Sequence, residues 1–335
     1  MDLTDSLRHQ LPGTGEVLID QLVAGHSNQT LLVRRRGTDQ TWILRAPPPG
    51  VHAPGAHDVL REARVLQALA DSPARVPRVV LFEEAGPYYV MERAEGQVVR
   101  STVPSFLMSA PARTRLAGEL VDALVEIHDA DTGPLIAASL GRPDGYLERQ
   151  LRRWGGQWAT LETPSARSRD LLRTALDIET WLRAHQPETV GHTVVHGDYK
   201  LDNVVVDPAD CTITAVLDWE MATIGDPLSD LGYLLFLTPW VNEKPLLDDL
   251  TGEALAQSGS FTRDDVLDRY ATATGRDVSA IRWYEVLAGW KLACFLETSH
   301  QRWIRGESDD AWFATLDTGV PRVLHHAQAL CMATS

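Results

Sequence analysis

The chain has 335 residues, enough for one large domain or two lobes sharing a cleft, and its 44% hydrophobic and 23% charged fractions exclude a disordered or fibrous protein. Its 31 basic residues stand against 46 acidic ones, a formal net charge of -15, which disfavours nucleic-acid polymers and anionic membrane surfaces as partners. A single nucleotide stays possible, because a few placed donors and a cation can bind it locally against the global field.

Three cysteines, Cys211, Cys294 and Cys331, lie far apart with no CxxC spacing, so neither a disulfide framework nor a zinc site is suggested. The opening MDLTDSLRHQ is polar, and no run of about 18 apolar residues occurs. These features predict a cytoplasmic protein with neither export signal nor membrane anchor.

In chain order, LLVRRR at 31–36 and TWILRA at 41–46 read as a hairpin around a Gly-Thr-Asp turn. After the breaker cluster at 47–50, HDVLREARVLQALA places Val59, Ala63, Leu66 and Leu69 at helical spacing. Two short apolar runs, RVVLFEE and PYYVMERAEG, read as strands closing a small antiparallel sheet, with a lobe boundary near 93–96. Beyond it the pattern turns helical, as in ARTRLAGELVDALVEIHDA at 112–130.

A further helical stretch, GYLERQLRRW, carries Arg149, Arg152 and Arg153 on one face. That face is either solvated or binds a phosphate or carboxylate. Two strands, at 204–206 and 213–219, flank a turn, and the rest from Leu228 is mostly helical. No repeat or low-complexity tract is found. The expected fold is α+β and two-lobed, with residues 1–94 as an N-terminal nucleotide lobe and 95–335 as a larger, mainly helical catalytic lobe.

The segment His196-Gly197-Asp198-Tyr199-Lys200-Leu201-Asp202-Asn203, with Asp218 in LDWE fifteen residues after Asn203, carries the chemistry. Phosphoryl transfer needs a carboxylate that orients the attacking hydroxyl, ligands for Mg²⁺ and a cation on the nucleotide. Asp198 can supply the first, and Asn203 and Asp218 the second. One neutral oxygen and one carboxylate suit a Mg²⁺ that also takes phosphate oxygens.

The string HGDYKLDN followed by VLDWEMATIGDPLSDLGYLL resembles the signature of aminoglycoside-phosphotransferase-like kinases, and is most similar to the branch also found fused to acyl-CoA dehydrogenases. LVAGHSNQTLLV, ILRAPPPG, REARVLQAL, YYVMERAEG and GYLERQLRRW extend the resemblance over nearly the whole chain. It implies a protein-kinase-like fold using ATP and Mg²⁺, with Asp198 as base and Asn203 and Asp218 on the metal.

The same resemblance implies Arg45 on the α/β-phosphates with Glu62 as its partner, where most kinases have Lys; Arg is usual for this branch and binds phosphate through a wider fork. Gly25, Ser27, Asn28 and Thr30 would cover the phosphates, although Ala24 stands where a second Gly is common and the turn alone reads as an ordinary hairpin. The adenine would meet backbone at Met91, Glu92 and Arg93. Glu220 either reaches a second ion or faces solvent, and Arg149 and Arg153 are candidates for an anionic acceptor.

Bland roles are expected for several neighbours. His196 should hold its loop by hydrogen bonds, Asp226 and Asp230 should cap the next helix and fix the loop, and Trp219 and Met221 should pack. The implied acceptor is a small alcohol, favoured here as a hydroxy acid or hydroxyacyl-CoA. The alternatives are an aminoglycoside or other antibiotic, for which the acid-rich stretch 243–268 would argue, a pseudokinase that binds nucleotide without turnover, and a metal-dependent hydrolase. The last leaves Arg45 and Glu62 unexplained.

Overall fold

The computed structural model describes residues 3–23, 28–47, 58–84, 86–100, 102–162, 165–241, 243–247, 253–257, 259–308 and 310–333. The chain opens with helix α1 (Leu3–Gln10), then strands β1 (Val17–Val23), β2 (Gln29–Arg35) and β3 (Thr41–Ala46), helix α2 (Val59–Ala68), and strands β4 (Val79–Glu83) and β5 (Tyr88–Glu92). The five strands form one antiparallel sheet in the order β1-β2-β3-β5-β4. Neither α1 nor β1 is legible in the polar opening.

What holds α1 is tertiary. Leu7 and Leu11 pack with Val17, Val33, Trp42, Leu44, Tyr88 and Val90 into a small core on the outer face of the sheet. Arg35 is 1% exposed, yet its guanidinium donates to the carbonyls of Leu11 at 2.7 Å, Pro12 at 2.7 Å, Gly15 at 3.0 Å and Arg8 at 3.3 Å. A buried guanidinium persists only with its donors satisfied, and here it gathers the carbonyls at and beyond the end of α1.

Strand periodicity sorts β3. Trp42 and Leu44 join the outer core, so Ile43 and Arg45 project from the opposite face, toward α2. Helix α2 starts on Asp58, whose carboxylate accepts from Arg61 N–H at 2.9 Å. It buries Val59, Ala63, Val65 and Leu66 in the main core, and carries Glu62 inward with them.

The remainder comprises β6 (Gln97–Val98), α3 (Ala110–His128), α4 (Gly133–Ala137), α5 (Tyr146–Thr160), α6 (Ala166–Ala184), β7 (Thr193–Val195), β8 (Val204–Val206), β9 (Ile213–Val216), β10 (Thr223–Gly225), α7 (Leu228–Leu237), α8 (Arg263–Thr274), α9 (Ile281–Ile304) and α10 (Leu316–Met332). β6, β8 and β9 form a three-stranded sheet and β7 pairs with β10. The segments 196–203 and 217–222, which link these short strands, are thereby set side by side.

Helix α7 is apolar on all sides and runs through the interior. A Cβ on Gly232 would lie 2.6 Å from Tyr284 Cβ, so the glycine lets α7 and α9 approach closely. Three buried indoles are satisfied by carbonyls: Trp158 donates to Trp290, Trp290 to Ala175 and Trp283 to Leu182. Among the described residues no helix is long and apolar enough to cross a membrane.

Candidate active site

Segment 196–203 is held from below. Asp230, fully buried on α7, accepts from His196 N–H at 2.6 Å and Gly197 N–H at 2.8 Å. His196 Nδ1 accepts from Asp198 N–H at 3.2 Å, which leaves Nε2 to donate to Leu217 O at 2.9 Å. Both ring nitrogens are engaged, so His196 ties the two segments together. Gly197 sits at φ 87°, where a Cβ would lie 2.9 Å from both Met221 Cβ and Met221 O.

Asp226 has the expected local role. It accepts from Leu228 N–H at 3.0 Å at the start of α7 and from Tyr284 OH at 2.8 Å. Trp219 is buried, donates to Val216 O and lies 4.7 Å from the His196 ring.

The Asp198 carboxylate faces Lys200 Nζ at 3.0 Å and accepts from Asn203 Nδ2 at 2.9 Å. The same Nδ2 donates to Asp198 O at 2.9 Å, so the amide orientation is settled and Asn203 Oδ1 is the atom left for a cation. Burial pushes the Asp198 carboxyl up, but Lys200, a hydrogen bond from Tyr233 and the field of His196 outweigh it and hold it below the usual carboxylate range. A base kept ionised in this way can accept a hydroxyl proton.

Asp218 follows β9 with φ 65° and ψ 62°, a left-handed backbone that Asp tolerates better than most side chains. Its Oδ1 lies 3.7 Å from Arg45 Nη2. Arg45 also reaches Glu62 at 3.3 Å and donates to Thr30 Oγ1 at 2.7 Å across the β2–β3 register. Burial alone would lower the Arg45 guanidinium, and Glu62, Tyr89, Asp218 and Glu220 together raise it, so it stays charged. The Glu62 carboxyl is raised by burial in spite of Arg45.

Asn28 Oδ1, Arg45 Nη2 and Asp218 Oδ1 are buried with no hydrogen-bond partner among the described residues. Orphaned acceptors together with an orphaned guanidinium nitrogen suit a cation and phosphate oxygens, so the donor set fits a metal-bound nucleotide. Among the described residues no three His, Cys, Asp or Glu side chains form a metal cage. Asn203 and Asp218 are the pair that could hold a Mg²⁺, which keeps waters and phosphate oxygens as its other ligands.

Asn28 also donates to Glu220 Oε2 at 3.5 Å, placing Glu220 beside the residue that precedes β2. Gly25 and Ser27 lie outside the described residues. At the end of the sheet Met91 is buried while Glu92 and Arg93 are exposed, and Glu92 N–H is already donated to Arg78 O at 2.9 Å. Arg149 does not join the cleft groups: its guanidinium donates to the carbonyls of Arg142 and Asp144, just before α5. Arg153 lies 5.4 Å from the Trp154 ring centroid.

Sequence reasoning assigned no role to Arg61, Lys200 and Tyr233. Lys200 carried a signal, being a cation inside the motif. Arg61 bridges α2 to segment 217–222 by donating to Glu220 O at 2.8 Å and Ala222 O, and it also donates to Leu140 O at 3.1 Å. A cavity of about 980 Å³ elsewhere, with Glu243, Asp264, Arg263 and Glu285 in its wall, includes none of the residues above. There Arg263 pairs with both Glu243 and Glu285.

A five-stranded antiparallel sheet joined to a helical region, with Asp198 beside Asn203 and Arg45 beside Asp218, is the fold of a kinase-like phosphotransferase. The chain belongs to the phosphotransferase enzyme family, whose model matches residues 19–284. It is 30% identical over 331 residues to acyl-CoA dehydrogenase family member 11 of Rattus norvegicus and 29% identical over 320 residues to family member 10 of Mus musculus. These matches take 94% and 92% of this chain but 41% and 29% of the relatives, so the chain spans less than half of their length.

Among solved structures, a Ralstonia eutropha protein provisionally described as an aminoglycoside phosphotransferase matches with a TM-score of 0.78 and 26% identity over 99% of this chain and 98% of that one. Choline kinase LicA of Streptococcus pneumoniae shares the fold, with a TM-score of 0.64 and 17% identity over 99% and 98% of the two chains. The expected two-lobed, protein-kinase-like α+β fold is the observed one.

Proposed function

We propose that this protein is a small-molecule kinase that moves the γ-phosphoryl group of ATP, with Mg²⁺, onto a hydroxyl of a small hydroxylated acid or its CoA thioester. The observation that carries the reading is the pairing of Asp198 with Asn203 and of Arg45 with Asp218, with Arg45 Nη2 and Asp218 Oδ1 left without hydrogen-bond partners among the described residues.

The acceptor oxygen would attack the γ-phosphorus, its proton would pass to Asp198, and the bond to the β-phosphate oxygen would break to release ADP. Lys200 and Tyr233 hold the Asp198 carboxylate in place and ionised. Arg45, oriented by Glu62 and Thr30, would bind phosphate oxygens. A Mg²⁺ held by Asn203 and Asp218 would offset charge on the phosphates. Adenine would lie against the backbone of Met91, Glu92 and Arg93.

The acyl-CoA dehydrogenase names of the relatives support an acyl or hydroxy-acid acceptor, while the Ralstonia eutropha neighbour supports an aminoglycoside as the second reading. ADP release measured with a panel of hydroxy acids, their CoA thioesters and aminoglycosides, with phosphoproduct mass, separates the two. Nucleotide binding without any phosphoproduct would point instead to a pseudokinase.

A further inference from the structure

Lys291 lies on α9 with its ammonium 5.8 Å from the Trp154 ring centroid, and the Arg153 guanidinium lies 5.4 Å from the same centroid. Both cations use the indole, and neither has a hydrogen bond or ion pair with a described residue. Lys291 is partly buried, close enough to Asp198 and Asp230 to feel both carboxylates and close enough to Arg153 to be repelled by it. Arg153 also repels Arg61 on α2. Arg61, Arg153 and Lys291 thus form a run of neighbouring cations whose Lys291 end feels Asp198.

Such an arrangement is costly as it stands. An ammonium drawn out of bulk water without a partner loses hydration, and a second cation nearby adds repulsion. Cation–π contact offsets only part of this. An anion placed between the two cations would relieve both penalties at once, whereas a polycationic acceptor would add to them.

We propose that Lys291 and Arg153, both beside the Trp154 indole, form an anchor for an anionic group of the acceptor, a carboxylate or a phosphate, and so select acidic over cationic alcohols. This assignment rests on the reading of the cleft as a phosphotransfer site, since it is Asp198 that the anchored molecule must reach. Lys291 supplies a point charge from α9 and Arg153 a planar fork from α5, both set beside the buried Trp154 indole. The carboxylate could belong to a free acid and the phosphate to a CoA thioester.

The test uses equilibrium binding of acceptor analogues that have no hydroxyl: straight-chain carboxylates from acetate to decanoate, the matching neutral amides, and the matching acyl-CoA thioesters, with nucleotide present. Wild-type protein should bind carboxylates or thioesters and not the amides. Lys291→Met should weaken that binding about tenfold to a hundredfold, as expected for losing a charge-assisted contact, and Lys291→Arg should restore most of it.

Arg153→Met, at an exposed position, gives the same comparison if Lys291→Met fails to fold, with melting temperature as the control. Preference for carboxylates over thioesters identifies the free acid as the source of the anion, and the reverse identifies the thioester. Equal binding by wild type and both Met variants, or no binding of any anionic analogue by the wild type, overturns the anchor. Because these analogues cannot be phosphorylated, failure of the kinase reading would show separately, as absence of phosphoproduct from every hydroxylated acceptor.

Discussion

Arg61→Met tests how α2 is kept in register with segment 217–222. The guanidinium donates to three carbonyls, of Glu220, Leu140 and Ala222, none on its own helix. A hydrogen bond to a charged group contributes about 1.5–3 kcal/mol, and water regains part of that at a partly open site, so a loss of roughly 2–4 kcal/mol is expected. With an unfolding entropy of about 2.1 cal/mol/K per residue, a chain of 335 residues should melt roughly 3–6 °C lower. Because Glu62 on α2 orients Arg45, nucleotide affinity should also weaken, by about tenfold. Arg61→Lys, which can reach one carbonyl at a time, should lie between. Thermal melting and nucleotide titration on the three proteins decide the matter. A Met variant indistinguishable from wild type in both would refute the clamp.

Asp198→Asn should lower phosphoproduct formation by about a hundredfold to ten-thousandfold with nucleotide still bound, as expected for loss of a general base. Unchanged turnover would remove Asp198 from that role. Asp218→Ala should raise the Mg²⁺ concentration needed for nucleotide binding, read by titration at fixed nucleotide, and an unmoved Mg²⁺ dependence would count against its ligand role. The Asp198 carboxyl is held below its ordinary value, so the stability it contributes is present above an unfolded pKa of about 3.9 and is lost as pH falls through the lower folded value. Acid unfolding of Asp198→Asn should therefore be shallower below that pH.

Burial pushes the Lys291 ammonium down to about 8, against support from Asp230 and Asp198 and with added repulsion from Arg153. Anionic analogues should bind well below that pH and progressively worse above it. Between about 8 and an unfolded value of about 10.4 the unfolded chain binds more protons, so this residue's contribution makes stability rise with pH. A binding profile flat from pH 7 to 9.5, roughly a unit either side of that value, would contradict the assignment.

Much of the site was legible because its parts are close in sequence. Asp198 and Asn203 share one short loop, and their hydrogen bond needs only that loop's own turn. Arg45 and Glu62 were legible only through the family resemblance; in the fold Arg45 lies on the face opposite Trp42 and Leu44, and Glu62 on the buried side of α2. The hairpin, the two strands after α2 and the long helix α3 were legible for the same reason. Arg149 was different: its face was correctly helical, but a guanidinium reaches far enough to choose the carbonyls of Arg142 and Asp144 over the cleft. Helical spacing cannot register that choice.

The sequence by itself determined the two-lobed α+β class, the candidate loop 196–203 and the period of each amphipathic element, all consequences of local sterics and of apolar residues seeking a common side. Tertiary structure alone decided what distant segments do to one another. α1 exists as a docked helix because Arg35, on β2, collects its terminal carbonyls, and Tyr233 matters because α7 passes under Asp198. Lys291 joins the cleft only where α9 packs beside α5. Hydrogen bonds and charges act over a few ångströms of space whatever the separation along the chain, and no local pattern encodes which remote groups will meet.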